Sequence, residues 1–335
     1  MTESNQPSDR SRLRVGILDD FQNAVRRFGD WKALEEIADV TVFHDHLTDE
    51  DALAERLSPF DVLLVTRERT PLRASLLQRL PNLRMISSTG PWNASIDLEY
   101  ARGRGITVCG TEGFSTAAAE LTWALIMAAA RHLPTEFDAF RNGQWQQTVG
   151  LDLHGKTLAL LGLGNMGAHV ARYGNAFGME VIAWSQNMTP DIAREHGATY
   201  VGKEELFRRG DFVSIHVRLS DRTRGIVDAQ ALNLMKKTAW LINTARGPVV
   251  DGAALIEALD NKRIAGAALD VYDTEPLAAD HPYRRRKDII GTPHIGYVTE
   301  SSYKLYYGQA IENILAWAAG KPIRMLSADN KASAR

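Results

Sequence analysis

Short apolar runs at 15–18, 40–43, 62–66, 85–88 and 106–108 alternate with amphipathic stretches through the first third of the chain. That alternation predicts βα units laid on a parallel sheet. A second series at 157–163, 180–184, 212–217, 240–243 and 267–271 repeats the rhythm. The fold class expected is therefore α/β with two doubly wound parallel-sheet domains. Between the series, 116–131 is rich in alanine and apolar all around, which predicts a helix buried on more than one side. Near the end, Tyr303, Tyr306, Tyr307, Ala310, Ile311, Ile314 and Trp317 recur at helical spacing, so that segment should bury one face. The polar tails at 1–11 and 327–335 are expected to be mobile. No internal repeat stands out beyond the βα rhythm.

Length agrees with two domains, because 335 residues exceed the size at which one hydrophobic core usually stops growing. A net charge of -2, from 39 basic and 41 acidic residues, gives no case for nucleic acid or a membrane surface as the main partner. The best apolar stretch, 121–130, is too short to span a bilayer and reads as a packing helix. Cys109 is the single cysteine, so no intrachain disulfide can form. The polar start at 1–14 lacks the apolar centre of a secretion signal, and a reducing cytoplasm is the expected setting. Following the apolar run 106–108, Cys109 is expected to pack rather than to react.

The chemistry begins at Gly162-x-Gly164-x-x-Gly167, which enclose Asn165 and Met166 between a strand-like run and a helix-like run. A dinucleotide-binding turn needs this context: one glycine for the turn, one for close backbone approach to a pyrophosphate, one for helix–strand packing. The helix start then offers amides and positive dipole to the phosphates. After the next strand come Ser185, Gln186 and Asn187, where a carboxylate usually selects the ribose of NAD. Its absence removes a repulsion against a 2′-phosphate. Arg194, the nearest downstream cation, is not obviously aimed at the site. NAD is slightly favoured because the neutral groups can still bond the ribose, and NADP is the alternative.

Three further segments suit hydride transfer to a 2-keto acid: Arg246 in Asn243-Thr244-Ala245-Arg246-Gly247, Glu275 in Asp273-Thr274-Glu275-Pro276, and His294 in Thr292-Pro293-His294-Ile295-Gly296. An imidazole can give a proton to the developing alkoxide and take it back. A guanidinium can grip the neighbouring carboxylate at two points. Glu275 would orient His294 and favour its protonated form through its charge. His44-Asp45-His46 looks like a metal site, but without a third convincing ligand it reads as a solvated turn, and no metal is expected.

On the glycine turn and these three segments, in this order, the chain resembles the D-isomer-specific 2-hydroxyacid dehydrogenases from about residue 15 to about residue 321. The resemblance implies a Rossmann-type NAD(P)-binding domain over 111–297 and a flavodoxin-like substrate domain over 1–110 with 298–335, the last helix returning to the first domain. It implies a homodimer through the cofactor domain, to which the helix at 116–131 contributes. Asp270 is expected to bond the nicotinamide carboxamide, and Thr116, His216, Thr244, Ala245, Arg246, His294 and Gly296 to line the cofactor cleft. Arg218 stands where many relatives have proline.

The implied reaction is hydride exchange between NAD(P)H and a 2-keto or 2-hydroxy acid, with Arg246, Glu275 and His294 catalytic. On the substrate side, Arg67, Thr89, Gly90, Trp92, Tyr297 and Arg246 are the expected contacts. Trp92 falls where a second glycine is common and Tyr297 where a small residue is common. Each is as readily a packing residue as a pocket wall. The alternative function is a corepressor-like dinucleotide sensor with little turnover. Glu275 disfavours a formate dehydrogenase, which has glutamine there, and the short stretch after Lys321 disfavours a phosphoglycerate dehydrogenase carrying a regulatory appendage. Glyoxylate, hydroxypyruvate and bulkier 2-keto acids remain open, since one methylene is worth only about 1–3 kcal/mol of discrimination.

Overall fold

The computed structural model describes residues 12–113 and 116–327, so the tails expected to be mobile lie, except for Ser327, outside the described residues. The chain forms two compact units: one takes everything before residue 115 together with the chain from Thr299 onward, and the other takes what lies between.

The first unit is built on β1 (Leu13–Ile17), β2 (Ala38–Val42), β3 (Val62–Val65), β4 (Met85–Ser88) and β5 (Thr107–Cys109). All pair in parallel, in the order β2-β1-β3-β4-β5. Every residue of β3 and β4 is buried, which is why neither alternates between apolar and exposed positions; β3 is wholly apolar, whereas β4 ends in two buried serines. The order reverses between β1 and β3, the flavodoxin-like arrangement. The helix Glu300–Ala318 belongs to this unit and buries Tyr303, Tyr306, Tyr307, Ala310, Ile311 and Ile314. Tyr303 meets Phe28 edge-on at 5.7 Å, and Asn313 Nδ2 donates to the Gly110 carbonyl at 2.8 Å. Trp317 is only half-buried, lying under Arg84. Cys109 is buried, and burial pushes its thiol up to about 11, out of the reactive range.

His46 departs from the solvated turn expected for it. Its side chain is only 9% exposed, and Nδ1 lies 2.8 Å from Oδ1 of buried Asp19, whose other oxygen accepts from Thr70. Asp19 comes from the end of β1, 27 residues away, so nothing local in the sequence points to the pair. The neighbouring Asp45 does face solvent, in a two-point pair with Arg56.

The second unit carries β6 (Thr157–Leu161), β7 (Glu180–Trp184), β8 (Thr199–Tyr200), β9 (Phe212–Ile215), β10 (Trp240–Asn243), β11 (Gly266–Leu269) and β12 (Ile289–Gly291). The sheet is parallel in the order β12-β11-β10-β9-β6-β7-β8, reversing between β6 and β9. The strands expected at 157–163 and 212–217 both stop two residues early, at Leu161 and Ile215, which are paired in register. Gly162, at φ +103°, turns the chain out of the sheet there. The edge strands β8 and β12 were not anticipated; at two and three residues they carry too little pattern. The helix Thr116–Ala130 buries Ala119, Leu125, Ile126, Ala129 and Ala130 in a core shared with Leu158, Leu160 and Val170. Among the described residues no helix is long and apolar enough to cross a membrane.

Candidate active site

The reversal point of the second sheet is where an open α/β sheet leaves a crevice at its strand ends. Gly162 follows β6, His216 follows β9, and the His216 amide donates to the Leu161 carbonyl at 2.8 Å. The three glycines answer to three different constraints. A Cβ on Gly162 would stand 2.8 Å from the His216 carbonyl, and one on Gly167 would stand 2.4 Å from the Gly162 oxygen. One on Gly164 would meet nothing within 4 Å, so the constraint at Gly164 is room for something outside the protein. Gly164 is also the N-cap of the helix Asn165–Ala176, with no side chain capping its first amides.

A cleft of about 300 Å³ opens beside this turn. Gly162, Gly164, Ser185, Gln186, Asn187 and His216 line it, together with Arg218, Ser220, Arg222 and Thr223. His216 Nε2 is 2.9 Å from Ser214 Oγ, whereas its Nδ1 is buried without a partner. Burial brings the imidazole down to about 4, so it is neutral near pH 7 and presents an uncharged polar atom. Open space at Gly164, uncapped amides and an orphaned ring nitrogen fit a dinucleotide. Asn165 and Met166 begin the helix, and Thr116 begins another; none of the three lines this cleft.

His294 sits on the loop after β12 with φ +53°, a conformation that a residue with a Cβ adopts at a cost. Asp270, just after β11, holds that loop in place. Its Oδ1 accepts from Thr292 Oγ1 at 2.6 Å and from the Ile295 amide at 2.8 Å, and its Oδ2 accepts from the Gly296 amide at 2.9 Å. Burial raises the Asp270 carboxyl above the usual range, against these hydrogen bonds. A carboxylate has about four acceptor sites, and three are taken, which leaves one for an outside donor such as a carboxamide.

Glu275 reaches His294 from the same unit: Oε2 lies 2.5 Å from Nδ1. Its Oε1 accepts from the Tyr272 amide at 2.9 Å, and the Tyr272 hydroxyl bonds the carbonyls of Leu269 and Thr292 at 3.2 and 3.0 Å. Tyr272 thus ties the Glu275 turn to both strand ends, a role that no sequence signal announced. With Nδ1 engaged, Nε2 is the nitrogen left to exchange a proton with another molecule. Tyr297, 8% exposed, packs edge-on against the His294 ring at 5.5 Å.

Arg246 follows β10 in extended backbone, its Nη1 donating to the Ala245 carbonyl at 2.7 Å. A Cβ on the next residue, Gly247, would lie 2.1 Å from the Tyr272 carbonyl carbon, so the Arg246 segment packs directly on the segment that supplies Glu275. Thr244 is turned inward, its hydroxyl 2.7 Å from that of Thr122, and the Ala245 amide donates to Asn243 Oδ1 at 3.0 Å.

In the first unit, Arg67 follows β3 at φ +55°. Its amide donates to Thr89 Oγ1 at 2.9 Å, its carbonyl accepts from Asn93 Nδ2 at 2.5 Å, and its guanidinium lies over the Gly90 Cα. Arg67, Thr89 and Gly90 are therefore together. The Gly90 amide is spent on Thr111 Oγ1 at 2.7 Å, and Pro91 has no amide hydrogen, so this turn offers fewer backbone donors than a glycine-rich one. Trp92 is half-buried beside it.

Residues 123–296 match the model of the D-isomer specific 2-hydroxyacid dehydrogenase, NAD binding domain, family. The chain is 42% identical to the glyoxylate reductase of Aeropyrum pernix over 73% of its length and 76% of that protein. It is 38% identical to the D-3-phosphoglycerate dehydrogenase of Methanocaldococcus jannaschii over 82% of its length, but spans only 52% of that longer protein. Among solved structures it is similar to the phosphoglycerate oxidoreductase of Vibrio cholerae, with a TM-score of 0.88, 40% identity and coverage of 92% and 99% of the two chains.

Proposed function

Because the chain belongs to the D-isomer specific 2-hydroxyacid dehydrogenase family and is an NAD(P)-linked oxidoreductase, we propose that it reduces a small 2-keto acid of the glyoxylate type through Arg246, Glu275 and His294. The observation that carries this reading is the His294–Glu275 pair on a loop clamped by Asp270, in the same unit as the glycine turn. The bound reduced nicotinamide supplies the hydride. His294 gives the proton from Nε2 to the carbonyl oxygen at C2, so that carbonyl, hydride and proton become an alcohol. Glu275 holds the ring by Nδ1. Arg246 grips the substrate carboxylate and polarises the adjacent carbonyl. The His216 nitrogen, the first amides of the helix Asn165–Ala176 and the remaining acceptor site of Asp270 are the groups that would hold the cofactor. The choice of glyoxylate rests on the glyoxylate reductases among the relatives.

The test is a panel of 2-keto acids with NADH and NADPH, followed by loss of the reduced cofactor. Glyoxylate should be turned over, and bulkier acids less efficiently. Binding of cofactor without oxidation across the panel would return the reading to a dinucleotide sensor, which relatives named as reductases and dehydrogenases do not favour.

Glu275→Gln keeps an acceptor near Nδ1 but replaces the carboxylate that holds the ring. kcat for reduction should fall by roughly 10–100-fold, about the worth of one charge-assisted hydrogen bond, with little change in KM or unfolding midpoint. An unchanged kcat would leave Glu275 with no part in positioning His294.

A homodimer through the second unit is part of the proposal. Phe140 and Trp145 are 72% and 74% exposed, on and just after the helix Leu133–Arg141 that follows Thr116–Ala130. Large exposed aromatics grouped in this way suit a face covered by a second copy. The double variant Phe140→Glu/Trp145→Glu should sediment as a monomer, and a monomeric wild type would refute the assignment. The single buried cysteine accords with a cytoplasmic setting.

A further inference from the structure

The cleft beside the glycine turn has one neutral wall and one basic wall. Ser185, Gln186 and Asn187, after β7, form the neutral wall; Arg218, Ser220, Arg222 and Thr223, on the loop after β9, form the other, and no aspartate or glutamate is among the lining residues. We propose that this cleft selects the 2′-phosphate of NADPH, with Arg222 as the principal phosphate-gripping residue and Arg218 as a second cation. The proposal rests on the reading of the cleft as the adenosine end of a dinucleotide site, and it replaces the slight preference for NAD drawn from the sequence.

Three features of the cleft favour a phosphate there. A carboxylate after the second strand would bond the ribose hydroxyls and repel a phosphate. Ser185, Gln186 and Asn187 instead supply hydroxyl and amide donors, which a phosphate accepts. Opposite them, a guanidinium offers a planar fork that matches phosphate oxygens at two points.

The basic wall is also a closed turn rather than a loose loop. The Ser220 amide donates to Thr223 Oγ1 at 2.8 Å, Thr223 Oγ1 bonds the Arg218 carbonyl at 2.5 Å, and the Arg224 amide donates to the Ser220 carbonyl at 2.9 Å. Arg218 and Arg222 are thereby fixed on one short turn, which lowers the entropy lost when they bind. Arg194, the cation nearest in sequence, is paired with Asp191 at 3.0 Å and does not line the cleft.

The experiment is calorimetric titration of the full chain with adenosine 2′,5′-bisphosphate and with 5′-AMP at fixed ionic strength, since exposed charges are screened by salt. Wild type should bind the bisphosphate at least about tenfold more tightly than 5′-AMP. Arg222→Gln should weaken the bisphosphate by roughly 10–100-fold while 5′-AMP affinity stays within about twofold. Ser185→Asp should likewise penalise only the bisphosphate. Arg222 is exposed, so its replacement should not unfold the protein. Equal affinity of wild type for the two nucleotides, or equal weakening of both by Arg222→Gln, would overturn phosphate selection and leave the dinucleotide site intact. Failure of both nucleotides to bind would remove the adenosine site itself, and the proposal with it.

Discussion

Replacement of His294 by alanine is expected to lower kcat for keto-acid reduction by roughly 10²–10⁴-fold, the usual contribution of a positioned acid. Dinucleotide affinity should remain within about twofold, because the substitution removes no group of the glycine turn or its cleft. His294 suits the task because Glu275 occupies Nδ1 and leaves Nε2 outward, while Asp270 fixes the loop on both sides of it. Alanine at a left-handed position keeps the backbone cost without the imidazole, so a small fall in unfolding temperature should accompany the loss. The measurement is single-turnover reduction beside a cofactor titration on the same preparation. Near wild-type turnover by a folded variant would remove His294 from the chemistry.

Arg246→Lys should lower kcat/KM by roughly 10–100-fold, about the worth of one or two charge-assisted hydrogen bonds. The charge survives, but an ammonium on a flexible stem cannot reproduce a planar two-point grip. The backbone should not adjust to rescue it, since Gly247 is pressed against the Tyr272 backbone and the Asn243 side chain donates to the Arg246 carbonyl at 3.0 Å. Substrates lacking the carboxylate should lose activity with wild type and show little further loss with the variant. A lysine variant that keeps full kcat/KM would mean that Arg246 serves only as a charge.

The fold was readable because both sheets are parallel and buried on two faces, so β3 and β6 appear as nearly continuous apolar runs, and β4, β9 and β10 as apolar runs interrupted only by buried serine or asparagine. The short edge strands β8 and β12 were not, since two or three residues cannot carry a period. Arg246, Glu275 and His294 could be singled out as candidates because each lies in a short motif whose neighbours fix its local backbone. Tyr272 was missed because its amide bonds Glu275 and its hydroxyl bonds main-chain carbonyls, partners that leave no pattern in the sequence. Arg222 was missed for a different reason: it is a charged residue in a polar loop, and only the turn closed by Thr223 brings it to the cleft. The pairing of His46 with Asp19 joins two strand ends and depends on sheet register, which hydropathy does not encode.

Transfer of a hydride from a reduced nicotinamide to the C2 carbonyl carbon of a 2-keto acid, with His294 supplying the proton, is the step on which the proposed function stands. It is tested most directly by reducing glyoxylate with NADPH carrying deuterium in the transferable position at C4 and analysing the product by mass spectrometry. Wild type should place one deuterium on C2 of glycolate in step with NADPH oxidation, and His294→Ala should form the labelled product at least about 100-fold more slowly. Glycolate formed without deuterium at C2, or labelled glycolate formed as fast by the alanine variant, would contradict it.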